Sequence, residues 1–182
     1  ARHAAVRVQL ILDEVTLALS NSIVAASIIE WKKNPTMVAL GASETLALAA
    51  MDCSASEVER LAIDAPQDEI YLHADPVLIR LALRNLLANA LKYSPPGTPV
   101  QVSITPDEAR FGVVFRCTNQ VADARLLLGD LFSRGKRGLD NSYDGYGLGL
   151  FMVNETARIH HGELTYWQPG PRTVTFELLL PL

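Results

Sequence analysis

Cysteine is scarce in this sequence, and so is unbalanced charge. Cys53 and Cys117 are its two cysteines. They lie far apart and neither has a C-x-x-C partner, so the chain has no basis for a disulfide framework or a zinc site. Both read as small buried hydrophobes in a reducing setting. Sixteen Lys and Arg stand against 20 Asp and Glu, a formal net charge of −4, and without a basic surplus there is no electrostatic footprint for nucleic acid. Phosphate remains accessible to such a chain, because local backbone amides can bind it. Long apolar runs are missing too. Val15 to Ile29 is uncharged but broken by Ser20, Asn21 and Ser22, and it is shorter than the roughly 20 residues a spanning helix needs. No signal peptide precedes it, so it reads as a packing helix. Internal repeats and a G-x-x-x-x-G-K-[ST] phosphate loop are also absent.

What is present suits a soluble globular domain with an added element: 182 residues, 49% of them apolar. From Ala4 to Trp31 the pattern is helical. Val8, Leu12, Val15, Leu19, Ser22, Ala26 and Ile29 alternate steps of four and three, a seam that either pairs helices or packs on its own domain. Asn34-Pro35 ends it. A short apolar stretch (Met37 to Leu40) and a helix over Ala42 to Met51 follow, then a capping or turn segment at Ser54 to Glu57. Two short strands are expected at Arg60 to Ile63 and Ile70 to His73.

Asp75-Pro76 supplies an N-cap and a first-turn proline for a helix through Leu83, Leu87 and Ala90 to Tyr93, and Ser94-Pro95-Pro96-Gly97 stops it. Val100 to Ile104 and Phe111 to Cys117 alternate as strands, with a turn expected at Pro106-Asp107-Glu108. Gln120 to Tyr146 is an irregular, Gly- and charge-rich stretch, and loops of such length are usually functional. A helix over Leu148 to His160 and a hairpin over Glu163 to Trp167 and Thr173 to Leu180 close the chain. The fold class expected is α+β, a two-layer sandwich with helices on one face of a mixed, mainly antiparallel sheet.

Two constellations bear chemistry. Asn85 and Asn89 are one helical turn apart and share a stripe. Asn is a mediocre helix former, so the pair either bonds nearby backbone and water or serves a ligand. Lys92 adds a phosphate-ready charge and Tyr93 a flat face suited to a base. Gly145-Tyr146-Gly147-Leu148-Gly149-Leu150 opens a later helix, where glycines admit a close ligand and free amides face an anion. That triplet does not follow a strand, which argues against a dinucleotide-binding fingerprint.

In this order the two motifs resemble the catalytic ATP-binding domains of sensor histidine kinases, in the superfamily shared with gyrase-type and Hsp90-type ATPases. Asn85 to Tyr93 looks like the family's N box, Leu131-Phe132 like its F box and Gly145 to Gly149 like its second glycine box. His161-Gly162-Glu163 and the terminal Phe176 to Pro181 also sit where the family places them. The resemblance covers about Asn34 to Leu182, giving a catalytic domain over 34–182. Residues 1–33 would then be the remnant of a dimerisation and phosphotransfer hairpin.

The resemblance implies the following roles. ATP and Mg²⁺ would be bound, with Asn89 as metal ligand, an oxygen donor suited to that hard cation. Lys92 would hold phosphate, and Tyr93 would pack beside adenine or ribose. Gly145, Gly147, Leu148 and Gly149 would form the lid hinge and offer amides. Arg134, Lys136 and Arg137 would either reach the triphosphate or form a solvated basic loop. Asn85 would be the catalytic-position residue: hydrolytic relatives place a Glu base there, and an amide cannot accept a proton, which favours phosphotransfer. The family's first glycine box, D-x-G-x-G, is replaced by Asn119-Gln120-Val121-Ala122-Asp123. Asn119 becomes the adenine reader, with Asp123 as a shifted alternative.

The acceptor histidine is expected outside this chain, since His3-Ala4-Ala5-Val6 does not match the family's phosphoacceptor motif. Its partners would be a histidine-bearing helical hairpin, in cis or in trans, and a response-regulator receiver domain, with a homodimer formed through the N-terminal helix. The expected setting is the cytoplasmic part of a longer, membrane-anchored sensor, since the chain does not begin with Met. The other reading is a non-catalytic nucleotide-sensing or interaction module. His160-His161 point apart on a helix and read as a cap or surface pair rather than a metal site.

Overall fold

Contacts divide the chain into Ala1–Asn34 and Pro35–Leu182, and the second unit carries all the elements below. The computed structural model describes residues 34–122 and 146–182, with side chains from Gly149 onward in the latter stretch. The expected N-terminal helix lies outside the described residues. So do Asp123, Leu131, Phe132, Arg134, Lys136, Arg137 and Gly145.

The elements run β1 (Val38–Gly41), α1 (Ala42–Ala50), α2 (Ala55–Val58), β2 (Leu61–Asp64), β3 (Tyr71–Ala74), α3 (Pro76–Tyr93), β4 (Val100–Asp107) and β5 (Gly112–Gln120). After the undescribed stretch come α4 (Tyr146–Ile159), β6 (Glu163–Gly170) and β7 (Thr173–Pro181). The main sheet has the order β2-β4-β5-β7-β6, and β1 and β3 form a separate two-stranded ribbon. Among the described residues β2 and β4 are the one parallel pair, and the other pairs are antiparallel. The expected α+β, mixed and mainly antiparallel sandwich is what the chain forms.

Alternation along β5 decides the layering. Val113, Phe115 and Cys117 join Val102, Ile104, Phe176, Leu178 and Leu180 in one core with Leu46 of α1, Leu83 and Leu87 of α3 and Val153 of α4. The intervening residues form the opposite face, held by polar cross-strand pairs. Arg116 donates to Glu177 Oε2 from Nε at 2.9 Å and Nη2 at 2.7 Å and lies over the Trp167 ring at 5.7 Å. The Thr118 and Thr175 hydroxyls meet at 2.8 Å.

Three details depart from the sequence expectation. Met37 to Leu40, expected only as a short apolar stretch, lies largely in a strand: Val38–Gly41 pairs with Tyr71–Ala74. The β4–β5 turn is not at Pro106, which pairs with Val113 inside the ladder. Proline is tolerated there because β2 pairs only with Val100–Ser103, so the missing N–H falls on an open edge. The turn is Glu108–Phe111, where Asp107 accepts from the Arg110 amide at 3.0 Å and Phe111 has φ +47°. Finally, β5 runs on to Gln120 rather than stopping at Cys117, because Thr118–Gln120 keep pairing with Thr173–Thr175.

Candidate functional site

The site is built on α3, whose start is fixed from three sides. Asp75 Oδ1 accepts from the Val77 and Leu78 amides at 3.0 and 3.1 Å, the expected N-cap, worth about 1 kcal/mol. Its Oδ2 accepts from the Thr36 amide at 2.9 Å. Its own amide donates to His160 Nε2 at 2.9 Å, which requires that His160 carry its proton on Nδ1, donating to Thr156 O at 2.7 Å. His160 is therefore a buried strut between the end of α4 and the start of α3, not a surface residue. Burial lowers its pKa first and the His161 charge adds to that, against the opposing Thr156 carbonyl and Asp75.

One stripe of α3 is sunk in the core: Leu78, Ile79, Ala82, Leu83, Leu86, Leu87, Ala90 and Leu91. Each large side chain contributes roughly 1.5–3 kcal/mol by burial, whereas an interior Asn costs about 0.7 kcal/mol of helix propensity. The helix therefore tolerates Asn85 and Asn89 on its half-buried margin. Asn85 Nδ2 donates back to Leu81 O at 2.8 Å, leaving Oδ1 as the atom that faces Gly149. Asn89 lies one turn further, with no side-chain hydrogen bond among the described residues. Lys92 is exposed, and its Nζ lies 5.2 Å from the centre of the half-buried Tyr93 ring.

The second glycine motif comes to the same place. Helix α4 begins at Tyr146, so Gly147, Leu148 and Gly149 lie within its first turn rather than ahead of it. A Cβ on Gly149 would stand 3.1 Å from Asn85 Oδ1. The two motifs thus touch across the α3–α4 contact, although Asn85 and Gly149 are 64 positions apart in sequence. Asn119 sits inside β5, paired with Val100 and Val174, rather than after a strand. It is 2% exposed and in alternation with Phe115 and Cys117, hence on the helix-facing side. Its Nδ2 donates to Gln120 O at 2.8 Å, which presents Oδ1 as an acceptor.

The described residues hold no cluster of His, Cys, Asp and Glu able to bind a metal alone. An ion here would need ligand phosphates to complete its shell, the usual habit of Mg²⁺. Cys117 is sealed in the core with its thiol pushed up to about 12 by burial, and it stays outside the chemistry.

A family model described as histidine kinase-, DNA gyrase B- and HSP90-like ATPase matches residues 74–182. The chain belongs to that family. Within this ATPase family its relatives are sensor kinases. The adaptive-response sensory kinase SasA of Rippkaea orientalis is 34% identical over 124 residues, 65% of this chain and 31% of that protein. The sensor histidine kinase MtrB of Mycobacterium leprae is 32% identical over 125 residues, 67% of this chain and 22% of that protein. Among solved structures, the Acinetobacter baumannii histidine kinase AdeS superposes with a TM-score of 0.67 at 16% identity, over 90% of this chain and 78% of that one, a likeness of fold. The resemblance to histidine-kinase ATP-binding domains is thereby upheld. The chain spans less than a third of these curated relatives. No helix among the described residues is long and apolar enough to cross a membrane.

The sequence reading missed His160 as a strut. An Asp N-cap on one helix and a histidine ending another gave no local sign that they meet 85 residues apart.

Proposed function

We propose that this ATPase domain binds Mg-ATP against the α3–α4 contact and passes the γ-phosphoryl group to a histidine on a helical hairpin. The phosphoryl group then moves to a response-regulator aspartate. The observation that carries the reading is the meeting of Asn85 with Gly149, which places the N-box margin of α3 beside the amide-rich start of α4.

In this reading Asn89 offers an oxygen to Mg²⁺, which would neutralise charge on the phosphates. Lys92 leaves the Tyr93 ring for a phosphate oxygen, and Tyr93 packs beside the nucleoside. Asn119 Oδ1 accepts from the adenine amino group. The first-turn amides of α4, from Gly147 to Gly149, take phosphate oxygens. Asn85, with its amide nitrogen committed to Leu81 O, presents a neutral oxygen that cannot act as a base toward water. Hydrolysis is thereby disfavoured, whereas an imidazole nitrogen brings its own lone pair to the phosphorus and ADP leaves.

Calorimetric titration with ATP and ADP, with and without Mg²⁺, tests this. Asn89→Ala should abolish the Mg²⁺-dependent part of the affinity while leaving thermal unfolding unchanged. Equal binding by wild type and variant, or no binding at millimolar ATP, would refute it.

A further inference from the structure

The end of α3 is capped only in part by its own neighbours, the Ser94 amide donating to Ala90 O at 3.1 Å and the Ser94 hydroxyl to Leu91 O at 3.1 Å. A helix C-terminus leaves carbonyls without partners, usually satisfied by the amides of the two residues beyond the cap. Here the cap is Ser94, and the two residues beyond it are Pro95 and Pro96, neither of which has an N–H.

Arg60, just ahead of β2, adds further donors from outside. Its Nη1 donates to Leu91 O at 3.2 Å, and Nη2 donates to Ser94 Oγ and, at 3.3 Å, to Pro95 O. Its Nε donates to Thr98 O at 3.0 Å. The backbone beside it is fixed too, since Arg60 O accepts from the Val100 amide at 2.8 Å. All four acceptors, three backbone carbonyls and the Ser94 hydroxyl, are uncharged, so the guanidinium also brings its positive charge to the negative end of the helix dipole.

Lys92 and Tyr93 are the last two residues of α3, inside the turn that Arg60 closes. We infer that Arg60 is a positioning residue for nucleotide binding: it fixes the last turn of α3 and so aims Lys92 and Tyr93 at the ligand. This rests on the site proposed above. Arg60 touches no reacting atom and acts only through the turn.

The test is ATP affinity by calorimetry in the presence of Mg²⁺, on the full chain, combined as a mutant cycle. Arg60→Ala should weaken ATP binding about tenfold, the scale of one lost charge-assisted contact. Arg60→Lys, which keeps the charge but cannot span four acceptors, should recover only part of that. In a Lys92→Ala, Tyr93→Ala background the further loss from either Arg60 variant should shrink to less than about twofold, because the groups being aimed are gone. A purely structural role would give the same loss in both backgrounds, and that additivity would overturn the inference. So would unaltered affinity in the Arg60 variants. If Arg60→Ala does not fold, Arg60→Lys carries the same cycle. Weakened but measurable ATP binding in Lys92→Ala, Tyr93→Ala, together with additive Arg60 effects, would sink this inference alone. A wild type that does not bind ATP would overturn the site and this inference together.

Discussion

Gly149→Ala separates stability from function at one atom. The added methyl would lie 3.1 Å from Asn85 Oδ1 and 3.8 Å from Asn85 Cγ, a contact a few tenths of an ångström too tight. Its neighbour is a side-chain tip, so Asn85 can give way, at the cost of its bond to Leu81 O, about 1 kcal/mol. Against that, Ala is favoured over Gly within a helix by about 1 kcal/mol. The two nearly cancel, and the melting temperature should stay within a few degrees of wild type. Binding should not be spared. The displaced amide and the new methyl occupy the α3–α4 contact where the proposed phosphates lie, and ATP affinity should fall by about tenfold or more, a change of about 1.4 kcal/mol. Thermal unfolding and calorimetry on the same samples decide the matter. A variant that binds ATP as wild type does would show that this contact is not the nucleotide site, and one that unfolds far below wild type would show that Asn85 cannot yield.

Two further substitutions test the end of α4. A Cβ on Gly162 would lie 2.1 Å from Leu179 O, a backbone atom, so Gly162→Ala should destabilise by about 2–3 kcal/mol or more in chemical denaturation; a loss below about 0.5 kcal/mol would contradict that geometry. Its neighbour His161 has φ +58°, and His161→Gly should stabilise by about 0.5–1 kcal/mol, a decrease counting against it. The buried His160 sets a pH dependence: its folded pKa is lowered below 6.5, so the unfolded chain binds the extra proton first. Stability is then fully present above about pH 6.5 and falls as the pH drops below it, toward the folded pKa. Melts between pH 7.5 and about pH 5 should show this slope, and His160→Gln should flatten it; an unchanged slope would assign the effect elsewhere.

Much of the fold was legible because it rests on local patterns. The Asp75-Pro76 start of α3, the alternation of β4 and β5 and the closing hairpin each declare themselves over a few residues. The missed features depend on partners distant in sequence. Pro106 looked like a turn because only tertiary context shows that β2 ends at Asp64, opposite Ser103, and leaves the edge of β4 beyond it open. Thr118 to Gln120 looked like a loop because polar residues end a strand unless a neighbour, here Thr173 to Thr175, prolongs it. The candidate site was legible as two motifs, but their contact was not. Arg60 shows the same limit: Pro95-Pro96 announced the end of α3, while the residue that completes that end lies 31 to 38 positions earlier.

The strand order has a consequence for how such a chain is made. Strand β7, the last in sequence, is not at the margin of the sheet but between β5 and β6, and it pairs with all of β5 from Gly112 to Gln120. During synthesis β5 therefore waits with a nine-residue edge unpaired until β7 has left the ribosome. The core residues of β7 itself, including Phe176, Leu178 and Leu180, arrive at that same moment. A nascent or truncated chain ending before Thr173 would thus carry the N-box helix over a sheet that lacks β7, and would expose a strand edge suited to aggregation.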